Sequence, residues 1–373
     1  MITIDEYIKG ADISTLIEEE EHGARYYDHG TEGDLLSILK DYGFNYVRIR
    51  LWNDPYSEDG MPYGAGTNDL DKLIRISKRA KKTGLKVLLC IHYSDFWADP
   101  GKQTMPKAWV GKNDSELVHA VYEFTLSVLN SMQREGVSPD MIAVGNELTN
   151  GLLWPRGKKP DFDNIAAFVS SGISACREFN RNIPVMIHLD NGGNNPMYVE
   201  WFDNYLRRGE DFDVIGLSYY PFWHGTMKSL EDNMRDIEKR YGKQTVVAEV
   251  STGFTMDDYA SYEGLEPSQR KGYATSAELA AKVEYPLTKE GQCEFMRKFL
   301  KISSDSSLNK GFFYWEPGWI PVPGVGWATD AALAYTGEKG PGGNEWANQA
   351  LFDYNGNALP ALEVIRDFRK GAC

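Results

Sequence analysis

KVLLCIHY (residues 86–93) and QTVVAEV (residues 244–250) are nearly continuous apolar runs that finish on residues able to do chemistry. A strand wet on one face alternates apolar and polar residues. A run without that alternation is covered on both faces, as parallel strands under helices are. Similar runs predict strands over 8–14, 45–52, 86–93, 141–147, 184–190, 213–220, 244–250 and 311–316.

Helical patterns separate these runs. NDLDKLIRISKRAKKTGLK opens on an Asn or Asp cap and stops at Gly84, and SELVHAVYEFTLSVLNSMQREG stops at Gly136. Residues 162–180, 197–208, 228–241, 289–304 and 360–370 also carry helical spacing. Eight strands with a helix after each predict an α/β fold, a single (β/α)₈ TIM barrel spanning 1–373 as one domain. Long loops follow strand seven (251–287) and strand eight (317–358), on the face where such barrels carry their active sites.

The net charge of −14 and pI near 5.0 disfavour nucleic acid and anionic membranes. No run is long and apolar enough to span a bilayer, and MITIDEYIKGADIS lacks a signal-peptide pattern. Cys90, Cys176, Cys293 and Cys373 form no CxxC pair, and Cys90 reads as a buried small hydrophobe. The acidic run Glu18–Glu21 reads as a solvated loop. The 10 Trp, 21 Tyr and 16 Phe are the richer signal. Many lie beside Gly, Pro, Asn or Asp, as in RLWNDPY, HYSDFWADP, ELTNGLLWP, SYYPFWHG and YWEPGWIPV, and so sit in loops. Flat rings with polar rims suit the C–H faces and hydroxyl edges of sugars.

Polar residues at the strand ends are the candidates for chemistry. They are Arg48 and Arg50 on one face of strand two, His92 and Asp95 after strand three, and Asn146 and Glu147 at strand four. His188, Asp190 and Asn191 follow on strand five, Glu249 on strand seven, and Trp315 and Glu316 on strand eight. A glutamate ending an apolar strand needs a reason, because an unpaired buried charge is costly. Glu147 and Glu249 stand three strands apart around the ring, so their side chains can meet over one cleft. Two facing carboxyls are what glycosidic cleavage needs: one protonated donor, and one nucleophile or base. No HxxxH or HxH metal cluster and no GxxxxGK[ST] or GxGxxG nucleotide loop is present.

The chain resembles the family 53 glycoside hydrolases, the endo-β-1,4-galactanases. The resemblance runs nearly end to end through KGADIS, NYVRIRLWNDP, IHYSDFWADPGKQTMPKAW, VGNELTNGLLWP, HLDNGG, GLSYYPFWHG, VAEVSTGF, YWEPGWIPV and NQALFDYNGNALPAL. It implies a retaining mechanism with Glu147 as acid/base and Glu249 as nucleophile. It further implies Asn146 on the sugar 2-hydroxyl, with Arg48, or Arg50 as a second candidate, supporting the nucleophile. Tyr219 or Tyr220 should touch Glu249, and Trp315 should underlie the sugar being cleaved. His92, Asp95, Trp97, Asp190, Asn191 and Trp319 are expected in the cleft. The implied partner is β-1,4-galactan of type I arabinogalactan, the side chains of pectin, met by a monomer that is secreted or held at the cell surface. The alternatives are another β-linked plant polymer, or a glycan-binding barrel without activity. Some bacterial relatives bind calcium after strand seven through alternating Asp, His and Asn. Here Asp257 and Asp258 are present without that run, which argues against bound calcium, and no cofactor is expected to be required.

Overall fold

The eight apolar runs pair side by side into one closed parallel barrel. Its strands are β1 (Ile8–Asp12), β2 (Tyr46–Leu51), β3 (Lys86–Ile91), β4 (Met141–Val144), β5 (Val185–Leu189), β6 (Val214–Tyr219), β7 (Gln244–Val250) and β8 (Asn309–Tyr314). β8 closes onto β1 in a register running from Ile8–Gly311 to Ala11–Tyr314. The computed structural model describes residues 2–259, 276–339 and 342–370. The calcium expectation rests on a loop of which 260–275 lie outside those residues, as does Cys373.

Local signals set the helices between the strands. Asp69 caps Leu70–Lys82 by accepting from the Lys72 amide, and the chain leaves through Gly84 at φ +75°. Asn113 and Glu116 form a reciprocal capping box at the start of Asp114–Arg134. Helices Phe162–Phe179, Asn195–Tyr205, Met227–Tyr241, Lys289–Ser304 and Ala361–Asp367 follow the expected spans closely.

Strand alternation sorts side chains into two cores. Val47, Ile49, Leu51, Val87, Leu89 and Ile91 face outward into the layer under the helices. Tyr46, Leu88, Cys90, Ala143, Met186, Val246, Ala248 and Phe313 fill the barrel interior. Followed toward the C-terminal ends, the inner face turns polar: Arg48 and Arg50 above Tyr46, His92 above Cys90, His188 above Met186. The apolar interior is thus the floor of a charged layer.

The acidic run differs from the expected solvated loop. Leu16–Glu21 is a helix, and both Glu18 and Glu19 are buried. Leu16 and Ile17 anchor the turn in the core and carry the next two residues inward with them. Burial and the neighbouring Glu316 and Glu18 push the Glu19 carboxyl well above the usual range.

Gly311 shows how tightly the barrel closes. Its φ is +122°, and a Cβ there would lie 2.0 Å from the Ile8 carbonyl oxygen. Gly311→Ala should therefore cost about 2–4 kcal/mol through backbone strain and overpacking. Urea denaturation would show this as a lower midpoint; unchanged stability would contradict the β1–β8 register.

Candidate active site

Two backbone irregularities aim the two glutamates. β4 ends at Val144, three residues earlier than expected; Gly145 turns at φ +82° and Glu147 itself sits at φ +47°, ψ +55°. This left-handed conformation is costly for a residue with a Cβ, and such strain gathers at functional sites. On β7 the register against β6 slips, with Leu217 opposite Val247 but Ser218 opposite Glu249. Ala248 is the extra residue of a β-bulge. Ala248 can then stay in the barrel interior while Glu249 also turns inward, which strict alternation would forbid.

A carboxylate oxygen of Glu147 lies within 4.8 Å of one from Glu249. Their surroundings differ. Glu249 Oε1 pairs with Arg48 Nη2 at 2.8 Å, and Oε2 accepts from the Tyr220 hydroxyl at 2.6 Å. Glu147 Oε1 shares a 2.6 Å hydrogen bond with Ser218 Oγ. Burial pushes both carboxyls up. For Glu147 the nearby Glu249, Asp190 and Asp99 add to the rise and, against the lowering effect that a hydrogen bond donated by Ser218 would have, hold it well above the usual range. For Glu249 Arg48 and the Tyr220 hydroxyl oppose the rise. The pair therefore divides into a carboxyl that keeps its proton and one that gives it up more readily.

Below them lies a buried network built on Asp12. Arg48 Nη1 meets Asp12 Oδ2 at 2.5 Å, and Arg50 Nη1 meets Asp12 Oδ1 at 3.1 Å and Glu316 Oε1 at 2.7 Å. Burial opposes ionisation of Asp12, but Arg50 and Arg48 overcome it and hold its carboxyl below the ordinary value. Burial pushes Glu316 up to about 8 despite Arg50. Two guanidinium groups thus face the Asp12 and Glu249 carboxyls, and both cations are engaged away from Glu147. The Arg50 guanidinium also lies 4.6 Å from the Trp97 ring centre and 5.4 Å from that of Trp315, fixing both rings.

Most of the expected residues meet here. Arg50, His92, Trp97, Asn146, Glu147, Tyr220, Glu249, Trp315 and Trp319 line one cleft of about 530 Å³. Arg48 lies directly beneath it, fully buried. His92 Nδ1 accepts from Trp52 Nε1, and burial with Arg48 and Arg50 nearby keeps the ring neutral, so the proton sits on Nε2. That nitrogen has no hydrogen-bond partner among the described residues, which suits it to donate to a ligand hydroxyl. The loop after β8 adds Trp327, Glu345 and Trp346.

One open choice is decided and one expectation needs correction. Tyr219 points away: its hydroxyl donates to the Gly225 carbonyl and its ring packs on Phe295, because Ser218 and Tyr220 take the inward phase around it. Asp95 is a loop staple, accepting from the Asp54 and Lys107 amides, and does not line the cleft. Asp190 accepts from the Thr149 hydroxyl and stands close enough to Glu147 to raise its carboxyl, and Asn191 sits at φ +48° in the turn after β5. Cys90 is buried as expected, yet its sulfur lies 3.3 Å from Arg48 Nη2, beneath the charged layer. Sequence reading passed over Asp12 and Ser218. Both sit at the ends of inner-face runs, in KGADIS and GLSYYPFWHG, and that position was the available signal.

Glu147, His188 and Glu249 are spaced closely enough to hold an ion. Both ring nitrogens of His188 are already engaged, however, with Asn146 Oδ1 at 3.0 Å and Ser218 Oγ at 2.8 Å. The positive charge a metal would bring is supplied by Arg48.

The family model described as Glycosyl hydrolase family 53 matches residues 8–365. The chain belongs to this family. Its similarity to named members is extensive. It is 37% identical to the endo-beta-1,4-galactanase of Bacillus subtilis, over 98% of this chain and 87% of that one. It is 32% identical to the arabinogalactan endo-beta-1,4-galactanase of Humicola insolens, over 96% and 98%. The solved family 53 catalytic domain from Ignisphaera aggregans superposes with a TM-score of 0.89 at 40% identity, covering 98% of both chains. The chain is thus a glycoside hydrolase with a barrel fold shared across its family. Among the described residues no helix is long and apolar enough to cross a membrane.

The family's two-glutamate site stands on the Asp12 network. Asp12→Ala would leave both arginines buried without their shared partner, and should cost about 3–5 kcal/mol of stability. Chemical denaturation measures it; a loss below about 1 kcal/mol would mean that the arginines are not held by Asp12.

Proposed function

We propose that the chain is an endo-acting, retaining β-1,4-galactanase that cuts galactan, the side chains of type I arabinogalactan in pectin. One observation supports the mechanism: an oxygen of Glu147 comes within 4.8 Å of an oxygen of Glu249, and the two carboxyls have unlike surroundings. Retaining enzymes hold their carboxyls roughly 5–5.5 Å apart, whereas inverting ones leave about 6.5–9.5 Å for a water. The names of the relatives support galactan as the polymer.

In the first step a Glu249 oxygen bonds to the anomeric carbon as the glycosidic C–O bond breaks. The leaving oxygen takes the Glu147 proton. In the second step water attacks the same carbon, passes a proton to Glu147, and releases Glu249. Arg48 and Tyr220 keep Glu249 ionised and oriented. Trp315, braced by Arg50, gives the sugar an apolar floor, while His92 Nε2 and Asn146 offer polar contacts at its edge. No step calls on a metal or cofactor. The reading has the protein act as one catalytic domain and a monomer, outside the cytoplasm where its polymer lies.

Reducing-sugar release from β-1,4-galactan, with xylan and mannan as controls, tests this. Wild type should cut galactan in strong preference. Glu147→Gln should lose about 10²–10⁴-fold, the range for a general acid, and Glu249→Gln at least as much. Because Glu147 must hold its proton, wild-type activity should fall on the alkaline side only at a pH well above the ordinary carboxylate range. Equal cutting of xylan or mannan would overturn the substrate, and an active Glu249→Gln the mechanism.

A further inference from the structure

The hydrogen bonds around His188 fix a direction at Glu147. Asn146 Nδ2 donates to the Ala98 carbonyl at 2.8 Å, and Arg48 Nη2, which can only donate, reaches Asn146 Oδ1 at 2.6 Å. The Asn146 oxygen is therefore the atom facing His188, so His188 Nδ1, 3.0 Å away, carries a proton and donates. His188 is fully buried with Arg48 and His224 nearby, and an imidazolium there would be doubly penalised. The ring is neutral, and Nε2 presents a lone pair to Ser218 Oγ at 2.8 Å.

A serine hydroxyl has one proton. If Ser218 gave it to Glu147, two lone pairs would face each other between Ser218 and His188 in a buried site. The favourable arrangement turns that proton to His188 and leaves serine lone pairs toward Glu147 Oε1, 2.6 Å away. A hydrogen bond that short needs a proton, and the remaining source is the Glu147 carboxyl itself. We propose that Ser218 and His188 are positioning residues that set this direction, so that Ser218 accepts from protonated Glu147 rather than donating to its carboxylate.

This deepens the reading of Glu147 as the acid/base and rests on it. The wire runs from Glu147 through Ser218, His188 and Asn146 to Arg48, the cation paired with Glu249. One string of bonds thus favours the proton on the acid and its absence from the nucleophile. In the glycosyl-enzyme, ionised Glu147 faces a hydroxyl whose proton is turned away, so it stays basic enough to take a proton from water. The other groups facing Glu147 are Glu249 from β7, Asp190 after β5 and Asp99 after β3, with Tyr220 after β6 and Tyr198 on helix Asn195–Tyr205. The three carboxyls favour the protonated state when ionised; of the cations lining the same cleft, Arg50 pairs with Asp12 and Glu316, Lys102 pairs with Glu338, and Lys339 stands on the loop after β8.

The sign of one shift tests the wire. The alkaline limb of kcat/KM on galactan reports the essential acid of the free enzyme. In Ser218→Ala the protonated acid loses its acceptor, and the limb should move to lower pH by about 0.5–1 pH unit, the worth of one neutral hydrogen bond. Ser218→Thr, which keeps a hydroxyl, should restore it. A limb that moves to higher pH would show the serine donating to the carboxylate, and a limb that stays in place would show no coupling; either overturns the proposal. An active wild type beside an inactive Glu147→Gln upholds the acid assignment whatever Ser218 does, so the two claims fail separately.

Discussion

Arg48 is fully buried and bonded at once to Asp12, Asn146 and Glu249. A guanidinium cannot shed its charge in a protein, so everything around it has to be arranged to accept it. Asp12 on β1 is kept ionised as its counter-charge. Glu249 on β7 gains a reason to ionise, Asn146 is locked with its oxygen inward, and His188 is held neutral. The site's division of labour follows from this one cation and from the second, Arg50, being drawn off to Asp12 and Glu316. Among the described residues Glu147 makes no ion pair, and the charges that act on it most are carboxyls, which is the environment an acid needs.

The barrel makes that arrangement rigid. Strand alternation delivers the arginines, His92, His188 and Ser218 to one inner layer above an apolar floor. Two deliberate breaks in regularity then complete it, the bulge at Ala248 and the left-handed turn at Glu147. The loop after β8 brings Trp319, Trp327 and Trp346 over the top, so that the charged layer opens onto an aromatic cleft. A sugar polymer meets rings on the walls and carboxyls at the base.

The strands, the main helices and the two glutamates were legible in the sequence because each rests on a local pattern: apolar runs, caps, and a polar residue closing a run. Legibility fell where a side chain's direction depends on phase. Tyr219 and Tyr220 are adjacent, and only pairing with β7 shows that Tyr220 faces inward. Asp95 looked like a cleft residue because it follows a strand, yet the Asp54 and Lys107 amides claim it. Asp12 was overlooked because its role exists only once β1 and β2 lie side by side. Glu18 and Glu19 were misjudged because charge suggested solvent, while Leu16 and Ile17 pulled their turn into the core.

In the proposed mechanism Glu249, paired with Arg48, attacks the anomeric carbon. The direct measurement is mass analysis of the protein after exposure to a slow 2-deoxy-2-fluoro galactoside with a good leaving group, followed by peptide mapping. A stable adduct of one fluorosugar on Glu249, within residues 244–250, is the expected result. An adduct on Glu147, or a turned-over substrate with inverted product and no adduct, would rule out Glu249 as the nucleophile.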